Sequence, residues 1–418
     1  SSHKGSGIVL SQIDSSIIEK CVAYNTGTAN SACGGPGGIW VWAANRITIQ
    51  LCESHHNSSG TSTGCDGLGF DLDGGVTNSI LQYCYSHDND GAGILLGNFS
   101  GARPWGNNTV RYNVSVNDAR TNNSSITLFT APNTTWNGLK CYNNTIYVTP
   151  SSKNKTPEFG AFQMTDYGTN MLGVECYNNI FQTTSGLPLV SVPTTFVAQN
   201  PKFIGNLYYS SGQSFIINYG SKYTSLSAFR AAGSFCEKNG ATNTGFDIDP
   251  LLINTSKSTL TLYPKPLDSL DAFKLPSTSP AKDAALDLKT LFGIDPGARD
   301  FWNNKIKSGG NFDIGAFEYS GTTNSIIDHN KFESWVVLYP NPTEGEFVNI
   351  QFKKPILMDL HIEVTNYSGQ LVSSQLVSSK EIIDNNLKLP LTGLQSGIYF
   401  VKIVNEKEVI NLKLTISK

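Results

Sequence analysis

Short apolar strands alternate with glycine-rich turns along the first half of the chain, and the pattern repeats. Turns of the form x-G-x-G-apolar, or close to it, stand at 4–8, 35–39, 66–70 and 90–94. Each is followed by a stretch in which apolar and polar residues alternate, and then by a second short strand, as in "NRITIQLCESHHN" and "NTVRYNVSVND". Strict alternation over a few residues is typical of β-strands. The pattern therefore predicts an all-β fold made of short strands.

The repeat aligns identical residues from one coil to the next. Cys21, Cys52 and Cys84 are 31 and 32 residues apart. The same frame continues through Asn113, Asn143 and Asn178, and a second column contains Asn45, Asn78, Asn108 and Asn137. Stacked columns are what a parallel solenoid produces, because each coil lies about 4.8 Å above the last. We expect a right-handed parallel β-helix with about six coils from 7 to 181. A β-sandwich with chance similarity is the alternative.

The pattern changes twice further along the chain. After Asn200 it loosens, and "SLSAFRAAG" indicates one short helix. We expect residues 1–320 to be the parallel β-helix with irregular final coils and a cap, and 321–334 to be a polar linker. Regular alternation in 335–418 predicts a small antiparallel Ig-like β-sandwich. Because the chain starts almost directly in a coil, we also expect upstream coils, a capping helix or a partner to cover the first coil.

Alternate side chains of the strand after each glycine turn point into and out of the solenoid. The apolar set must point inward: Ile39/Val41, Phe70/Leu72, Ile94/Leu96 and Phe162/Met164. The outward set is then Trp40/Trp42, Asp71/Asp73, Leu95/Gly97 and Thr127/Phe129. Sugar rings stack on tryptophan through their C–H faces, and aspartate accepts hydrogen bonds from hydroxyls. The pattern predicts a carbohydrate-binding face; the alternative is that an insertion, 26–38 or 58–66, folds over the tryptophans.

Histidines point to the same coils. Three of the six, His55, His56 and His87, fall in two adjacent repeats, where His55 and His87 align. A titrating group beside carboxylates can serve as acid or base near neutral pH, so His87 is a catalytic candidate, with His55 and Asp90 as substrate contacts. The alternative is a pair of turn histidines that bond to the backbone.

Asp71 and Asp73 are the candidate catalytic pair. On a strand their Cβ atoms are about 6.5–7 Å apart, and carboxyl separations of about 5–9.5 Å cover both geometries of glycoside hydrolysis. Two nearby carboxylates also push one pKa upward, which gives one acid and one base. This hydrolase chemistry requires no cofactor.

Two other functions remain open. Asp66, Asp71, Asp73 and Asp90 could bind calcium, and a calcium-assisted polysaccharide lyase would also need a base, for which Lys4 and Arg103 are the nearest candidates. A non-catalytic glycan-binding or adhesive surface protein would need only the tryptophan face.

Charge and cysteine content exclude several classes of protein. The net charge of -3 without a basic patch argues against a nucleic-acid partner, and no apolar run is long enough to span a membrane. The eight cysteines include no C-x-x-C pair, which argues against a zinc ribbon. The aligned thiols suit inward packing, while Cys33 with Cys65 and Cys141 with Cys176 could form disulfides.

The segment 7–319 resembles the right-handed parallel β-helix proteins of bacterial polysaccharide utilisation. The residues that carry this likeness are "GIWVW", "DGLGFDLDGGVTNSILQYCYSHDNDGAGILL", "NTVRYNVSVND" and the closing "DIGAFEY". The resemblance implies a polysaccharide or oligosaccharide partner. It does not fix the activity, because this architecture hosts hydrolases, lyases, epimerases and adhesins, and the aspartate and Gly-His-Gly signature of polygalacturonases is absent from the sequence.

The end of the chain is similar to the type IX secretion sorting domains of Bacteroidetes. The motifs are "LYPNPTEGEF" at 338–347, "SGQLV" at 368–372 and "SGIYFVKI" at 396–403. This resemblance implies that 335–418 engages the secretion machinery and that the protein is exported through the outer membrane, to be secreted or held at the cell surface.

Overall fold

The chain divides into two compact units, Ser1–Gly321 and Thr322–Lys418. The computed structural model describes residues 4–31, 34–61, 66–153, 160–165, 167–168, 170–257, 261–263, 265–307, 310–320, 336–353, 356, 359–366, 370–404 and 409–417. The segment 321–334, predicted as a linker, lies outside these residues.

The first unit is a parallel β-solenoid in which successive coils stack into three sheets. The first sheet contains β1 (Ile8–Ser11), β4 (Gly37–Trp42), β7 (Leu68–Leu72), β10 (Ile94–Asn98), β13 (Ile126–Thr130), β16 (Phe162–Met164), β19 (Val190–Val192), β22 (Ile217–Tyr219) and, antiparallel at its end, β23 (Ser221–Tyr223). The second contains β2 (Ile17–Glu19), β5 (Thr48–Gln50), β8 (Ile80–Gln82), β11 (Trp105–Arg111), β14 (Trp136–Tyr142), β17 (Leu172–Tyr177) and β20 (Lys202–Ile204). The third contains β3 (Val22–Tyr24), β6 (Glu53–His55), β9 (Tyr85–His87), β12 (Val114–Val116), β15 (Thr145–Val148), β18 (Ile180–Thr184), β21 (Leu207–Ser211) and β26 (Phe246–Asp247). The predicted parallel solenoid is confirmed, and a β-sandwich is excluded for this unit.

The core lies inside the solenoid, where the apolar halves of the alternating strands meet. All eight predicted inward residues are buried: Ile39, Val41, Phe70, Leu72, Ile94, Leu96, Phe162 and Met164. The strand register stacks apolar side chains on apolar side chains from coil to coil, since Ile39 pairs with Phe70 and Phe70 with Ile94. Burial of such side chains contributes about 1.5–3 kcal/mol each, which fixes the strands in register and leaves their alternate residues outward.

A ladder of buried amides runs along the turn between the second and third sheets. Asn144 Nδ2 donates to Asn179 Oδ1 (2.9 Å), Asn179 Nδ2 to Asn206 Oδ1 (3.0 Å), and Asn206 Nδ2 to Glu237 Oε1 (2.8 Å). Asn113 precedes Asn144 in this ladder. The ladder satisfies side chains that would be costly to bury without partners.

The first predicted column, which ran from the cysteines through Asn113, is therefore wrong by one residue in two coils. Asn143 and Asn178 adopt left-handed φ values of 52° and 51°, and the next residue of each coil joins the ladder instead. The side chains of Asn143 and Asn178 turn outward, where they donate to the Asp313 and Leu286 carbonyls. The second predicted column is also offset. Asn78 donates to Asn45, but it is Asn107 that donates to Asn78, while Asn108 lies inside and accepts from the Ser79 amide.

The cysteines behave as packing residues within the part of the chain that the structure describes. The Cys21 amide donates to Cys52 Sγ at 3.5 Å, in the predicted column. Cys141 and Cys176 are in register and buried, and both are free thiols rather than a disulfide. Cys33 and Cys65 lie outside the described residues.

Short helices and irregular chain complete the first unit. The predicted short helix is present as α2 (Leu226–Ala231), and its Phe229 packs on the core of the last coils. Described residues between 262 and 316 lie against the outside of the third sheet, where Phe273 and Trp302 join a cluster with Tyr85 and Val114. The remaining elements are α1 (Thr194–Val197), α3 (Leu288–Phe292), the β24 (Lys238–Asn239) and β25 (Thr242–Asn243) hairpin, and 3-10 turns at Thr255–Lys257, Leu267–Ser269 and Asp271–Phe273.

The second unit consists of two antiparallel sheets that share one apolar core, as predicted. One sheet has the order β27 (Val336–Tyr339), β28 (Phe347–Phe352), β31 (Asn386–Pro390). The other has the order β30 (Leu371–Val377), β29 (Leu360–Asn366), β32 (Gly397–Val404), β33 (Val409–Ile416). A 3-10 turn, Ser379–Glu381, lies between β30 and β31 in the sequence.

Candidate functional site

A cavity of about 650 Å³ lies on the outer face of the first sheet. Its floor is a row of side chains from consecutive coils, in which Trp40 pairs with Asp71, Asp71 with Leu95, and Leu95 with Thr127. These residues alternate with the buried core residues of the same strands. The cavity therefore follows directly from the outward half of the repeat.

A second row lies two residues further along the strands. Asp73 follows β7, and Phe129 of β13 is in register with Gly97 of β10; Asp73 and Phe129 line the cavity. A Cβ atom on Gly97 would come within 2.8 Å of Asp73 Oδ1. Because Gly97 has no side chain, the Asp73 carboxyl can occupy this space.

Asp71 is a buried acid without a full set of partners. Its side chain is 3% exposed, and Oδ1 has no hydrogen-bond partner among the described residues. Burial raises the pKa of Asp71 well above its usual range, and the nearby Asp73 and Asp66 carboxyls raise it further. Burial thus favours the protonated form of Asp71, which can donate a proton or a hydrogen bond into the cavity.

Asp73 is less deeply buried than Asp71, and its pKa is raised as well. Burial raises the pKa of Asp73 to about 6, against the opposing effect of a hydrogen bond from the Gly74 amide. Burial also raises the pKa of Asp66, which accepts a hydrogen bond from the Gly35 amide and lines the same cavity. Above about pH 6 Asp73 is therefore ionised, whereas burial favours the protonated form of Asp71; acid–base catalysis needs such a difference between two carboxyls.

The two predicted tryptophans differ in position. Trp40 is partly exposed and lines the cavity, and its Nε1 has no hydrogen-bond partner among the described residues. Trp42 lies outside the lining, with its ring centroid 6.2 Å from that of Phe99. Parts of the two insertions, Gly34–Gly35 and Asp66, form a wall of the cavity. The insertions thus border Trp40 rather than bury it.

Sequence reasoning missed two aromatic residues of this site. Phe99 and Tyr167 line the cavity from segments after β10 and β16. These segments do not follow the repeat, so the alignment of successive coils does not predict where Phe99 and Tyr167 lie. The candidate bases Lys4 and Arg103 are not at the cavity; the Arg103 guanidinium donates to the Ala43 carbonyl at 2.8 Å and borders a separate depression.

The predicted histidines stack on one another but not beside Asp71. The rings of His55 and His87 are 4.6 Å apart and 12° from parallel. They end β6 and β9 of the third sheet, whereas Asp71 belongs to β7 of the first, so the turns between the sheets separate them. Asp90 is also away from the cavity and forms an ion pair with Lys153 at 3.1 Å. The expectation that these residues share one surface with Asp71 is wrong.

Buried polar contacts surround the stacked histidines. Burial, with nearby His87, lowers the pKa of His55 to about 4. Burial opposes the charge on His87, but hydrogen bonds with Asp88 and Glu53 outweigh it and raise the pKa of His87. Among the described residues, potential metal ligands converge here, as Glu53/His55/His87 and as His56/His87/Asp88. The carboxyls of Asp66, Asp71 and Asp73 form no such group within the described chain, and Asp90 does not line the cavity, which argues against the alternative in which these four residues bind calcium.

Comparison with known families assigns the end of the chain. The family model of the secretion system C-terminal sorting domain matches residues 337–417, which are the strands of the second unit. The protein is therefore directed by type IX secretion to the cell surface or the extracellular space. No described helix is both long and apolar enough to cross a membrane. The sequence matches none of the curated proteins.

Proposed function

We propose that this secreted protein acts on a polysaccharide or oligosaccharide as a glycoside hydrolase, with Asp71 as the acid and Asp73 as the base or nucleophile. The observation that supports this most is the buried, unpartnered Asp71 Oδ1 at the floor of an aromatic cavity. A buried polar atom without a partner costs about 1–3 kcal/mol. A sugar oxygen bound at this point would remove that penalty.

The two acids have the properties that glycosidic cleavage requires. Neutral Asp71 would protonate the oxygen that leaves the sugar. Ionised Asp73 would either activate a water molecule or attack the anomeric carbon, as in the two stereochemical courses of glycoside hydrolysis. Trp40 offers a flat apolar surface for the sugar ring, and Phe129 and Tyr167 extend it.

The test compares the wild-type chain with Asp71→Asn and Asp73→Asn in a reducing-sugar assay over a panel of neutral and acidic polysaccharides. We expect turnover to fall at least about 100-fold in both variants, because acid–base groups contribute about 10²–10⁴-fold each. Asp90→Asn is the matched control, since Asp90 lies away from the cavity, and it should keep wild-type turnover. Full activity in both cavity variants would contradict the proposal.

A non-catalytic glycan-binding protein is the second candidate, and the depth of Asp71 favours it. With only 3% of its surface exposed, Asp71 could serve as a fixed hydrogen-bond donor rather than as a proton donor. Affinity measured by calorimetry alongside the assay separates the two: saturable binding without product supports a binding protein. A lyase is not proposed, because no lysine or arginine is among the described residues that line the cavity.

A further inference from the structure

A compact group of polar side chains lies at the end of the third sheet, outside the cavity. His55 and His87 end β6 and β9, and His56 and Asp88 are the next residues of the chain. Both His56 and Asp88 have a left-handed φ of 54°. This turn brings them beside the stacked rings: the His56 ring lies edge-on to His55 at 5.0 Å and to His87 at 5.5 Å.

The donor atoms in this group suit a transition metal. Ligand atoms of His56, His87 and Asp88 all lie within 4.8 Å of one another. Asp88 Oδ2 is 3.0 Å from His87 Nδ1, and His56 Nδ1 is 2.8 Å from His55 Nδ1. Two imidazoles and a carboxylate are ligands that zinc and its neighbours bind in proteins, whereas calcium prefers oxygen alone.

Behind His87 lies the carboxylate that such a site requires. Glu53 Oε1 is 3.2 Å from His87 Nε2, and both side chains are buried, with exposures of 2% and 0%. The Glu53 oxygens accept hydrogen bonds from the Leu262 amide (2.7 Å) and the Tyr263 amide (2.9 Å). When Nδ1 of a histidine binds a metal, Nε2 carries the proton, and a fixed carboxylate on that side orients the ring and strengthens the ligand.

The group is also open to solvent on its ligand side. His56 is exposed and Asp88 is partly exposed, while His87 lies beneath them. Two of the three ligands are therefore accessible from solvent, and the third is buried next to them.

We propose that His56, His87 and Asp88 bind one divalent metal ion of the zinc class, with Glu53 as the residue that positions His87. The ion joins two neighbouring coils, since His56 follows β6 and His87 ends β9. It lies on a different sheet from the cavity, so its role is to stabilise the solenoid rather than to take part in the chemistry at Asp71.

The test uses the full chain without a histidine tag, stripped with a chelator and titrated with Zn²⁺ by calorimetry. We expect one equivalent to bind and the thermal midpoint to rise, because a ligand that binds only the folded state stabilises it. His56→Asn and Asp88→Asn should each weaken Zn²⁺ binding by at least about tenfold. Asparagine already occupies the corresponding left-handed turn positions in neighbouring coils, at Asn25 and Asn117, so both variants should fold.

Two further variants sharpen the result. His361→Asn changes an exposed histidine of the second unit and should leave Zn²⁺ binding unchanged. Glu53→Gln retains all three ligands, and a loss of about 10–100-fold in affinity would support the positioning role of Glu53. The absence of saturable Zn²⁺ binding to the wild type would overturn the proposal. So would equal affinity in the wild type, His56→Asn and Asp88→Asn, because the ion would then bind elsewhere, for example at the cysteines.

Discussion

Replacing Asp73 by asparagine should stabilise the solenoid at neutral pH while removing the hydrolase activity that we propose for it. The pKa of Asp73 rises from 3.8 to about 6 on folding because the carboxyl is desolvated. A rise of about two pKa units corresponds to about 3 kcal/mol at about 1.4 kcal/mol per unit. Asp73 keeps some exposure, so we expect a gain of about 1–3 kcal/mol for Asp73→Asn at pH 7.

The sign follows from proton linkage. Between about pH 4 and 6 the folded protein keeps the Asp73 proton that the unfolded chain has lost, so the free energy of unfolding falls as the pH rises through this range. Below about pH 4 Asp73 is protonated in both the folded and the unfolded state, so its burial no longer lowers the free energy of unfolding. Asparagine does not titrate, so the stability curves of Asp73→Asn and the wild type should converge below pH 4 and separate up to about pH 6.

Urea unfolding of both proteins at pH 4 to 7, followed by tryptophan fluorescence, measures this difference. Five of the six tryptophans belong to the solenoid unit, so the signal reports mainly on that unit. Asp118, Asp300 and Glu318 also have raised pKa values, so only the difference between variant and wild type isolates Asp73. Asp71→Asn should flatten the slope as well, because burial also raises the pKa of Asp71 in the folded state, whereas the unfolded chain loses that proton. If Asp73→Asn kept the wild-type slope, Asp73 would not be a titrating group.

Three other changes test the site and the fold. Gly97→Ala should place a methyl group 2.8 Å from Asp73 Oδ1, so turnover or glycan affinity should fall while the circular dichroism spectrum is unchanged. Trp40→Ala should weaken glycan binding by about 1–2 kcal/mol in calorimetry, and Trp42→Ala should have a much smaller effect because Trp42 is outside the cavity. Asn179→Ala removes four buried hydrogen bonds and should lower the free energy of unfolding by about 3 kcal/mol; a loss below about 0.5 kcal/mol would show that the amide ladder contributes little.

The repeat predicts what lies side by side along one sheet. Two periodicities, alternation within a strand and about 31 residues between coils, are sufficient to place Trp40 beside Asp71 and Asp71 beside Leu95. Where two asparagines are adjacent, as at Asn143 and Asn144, either fits the repeat. The left-handed backbone of Asn143 directs the side chain of Asn144 into the solenoid, and the spacing of the repeat alone does not show which of the two is buried.

Placement across sheets was harder to predict than placement along them. His87 follows Asp71 by sixteen residues, but the chain turns twice between β7 and β9, so the two side chains leave the solenoid through different sheets. Phe99 and Tyr167 reach the cavity from segments outside the repeat. These segments do not share the repeat, so the register of the strands does not predict where their side chains lie.

The covering of the solenoid supports the first sheet as the proposed glycan-binding face. Described residues between 262 and 316 lie on the outside of the third sheet, where the outward Tyr85 and Val114 are fully buried. On the first sheet, Trp40, Asp71, Leu95 and Thr127 form one row on consecutive coils at the floor of the cavity. Because neighbouring coils are about 4.8 Å apart, a chain of sugar rings lying along this row would meet a new side chain at each coil, with Trp40 and Asp71 as its first two contacts. Glycan affinity should therefore grow with oligosaccharide length until the row is filled, and then stay constant.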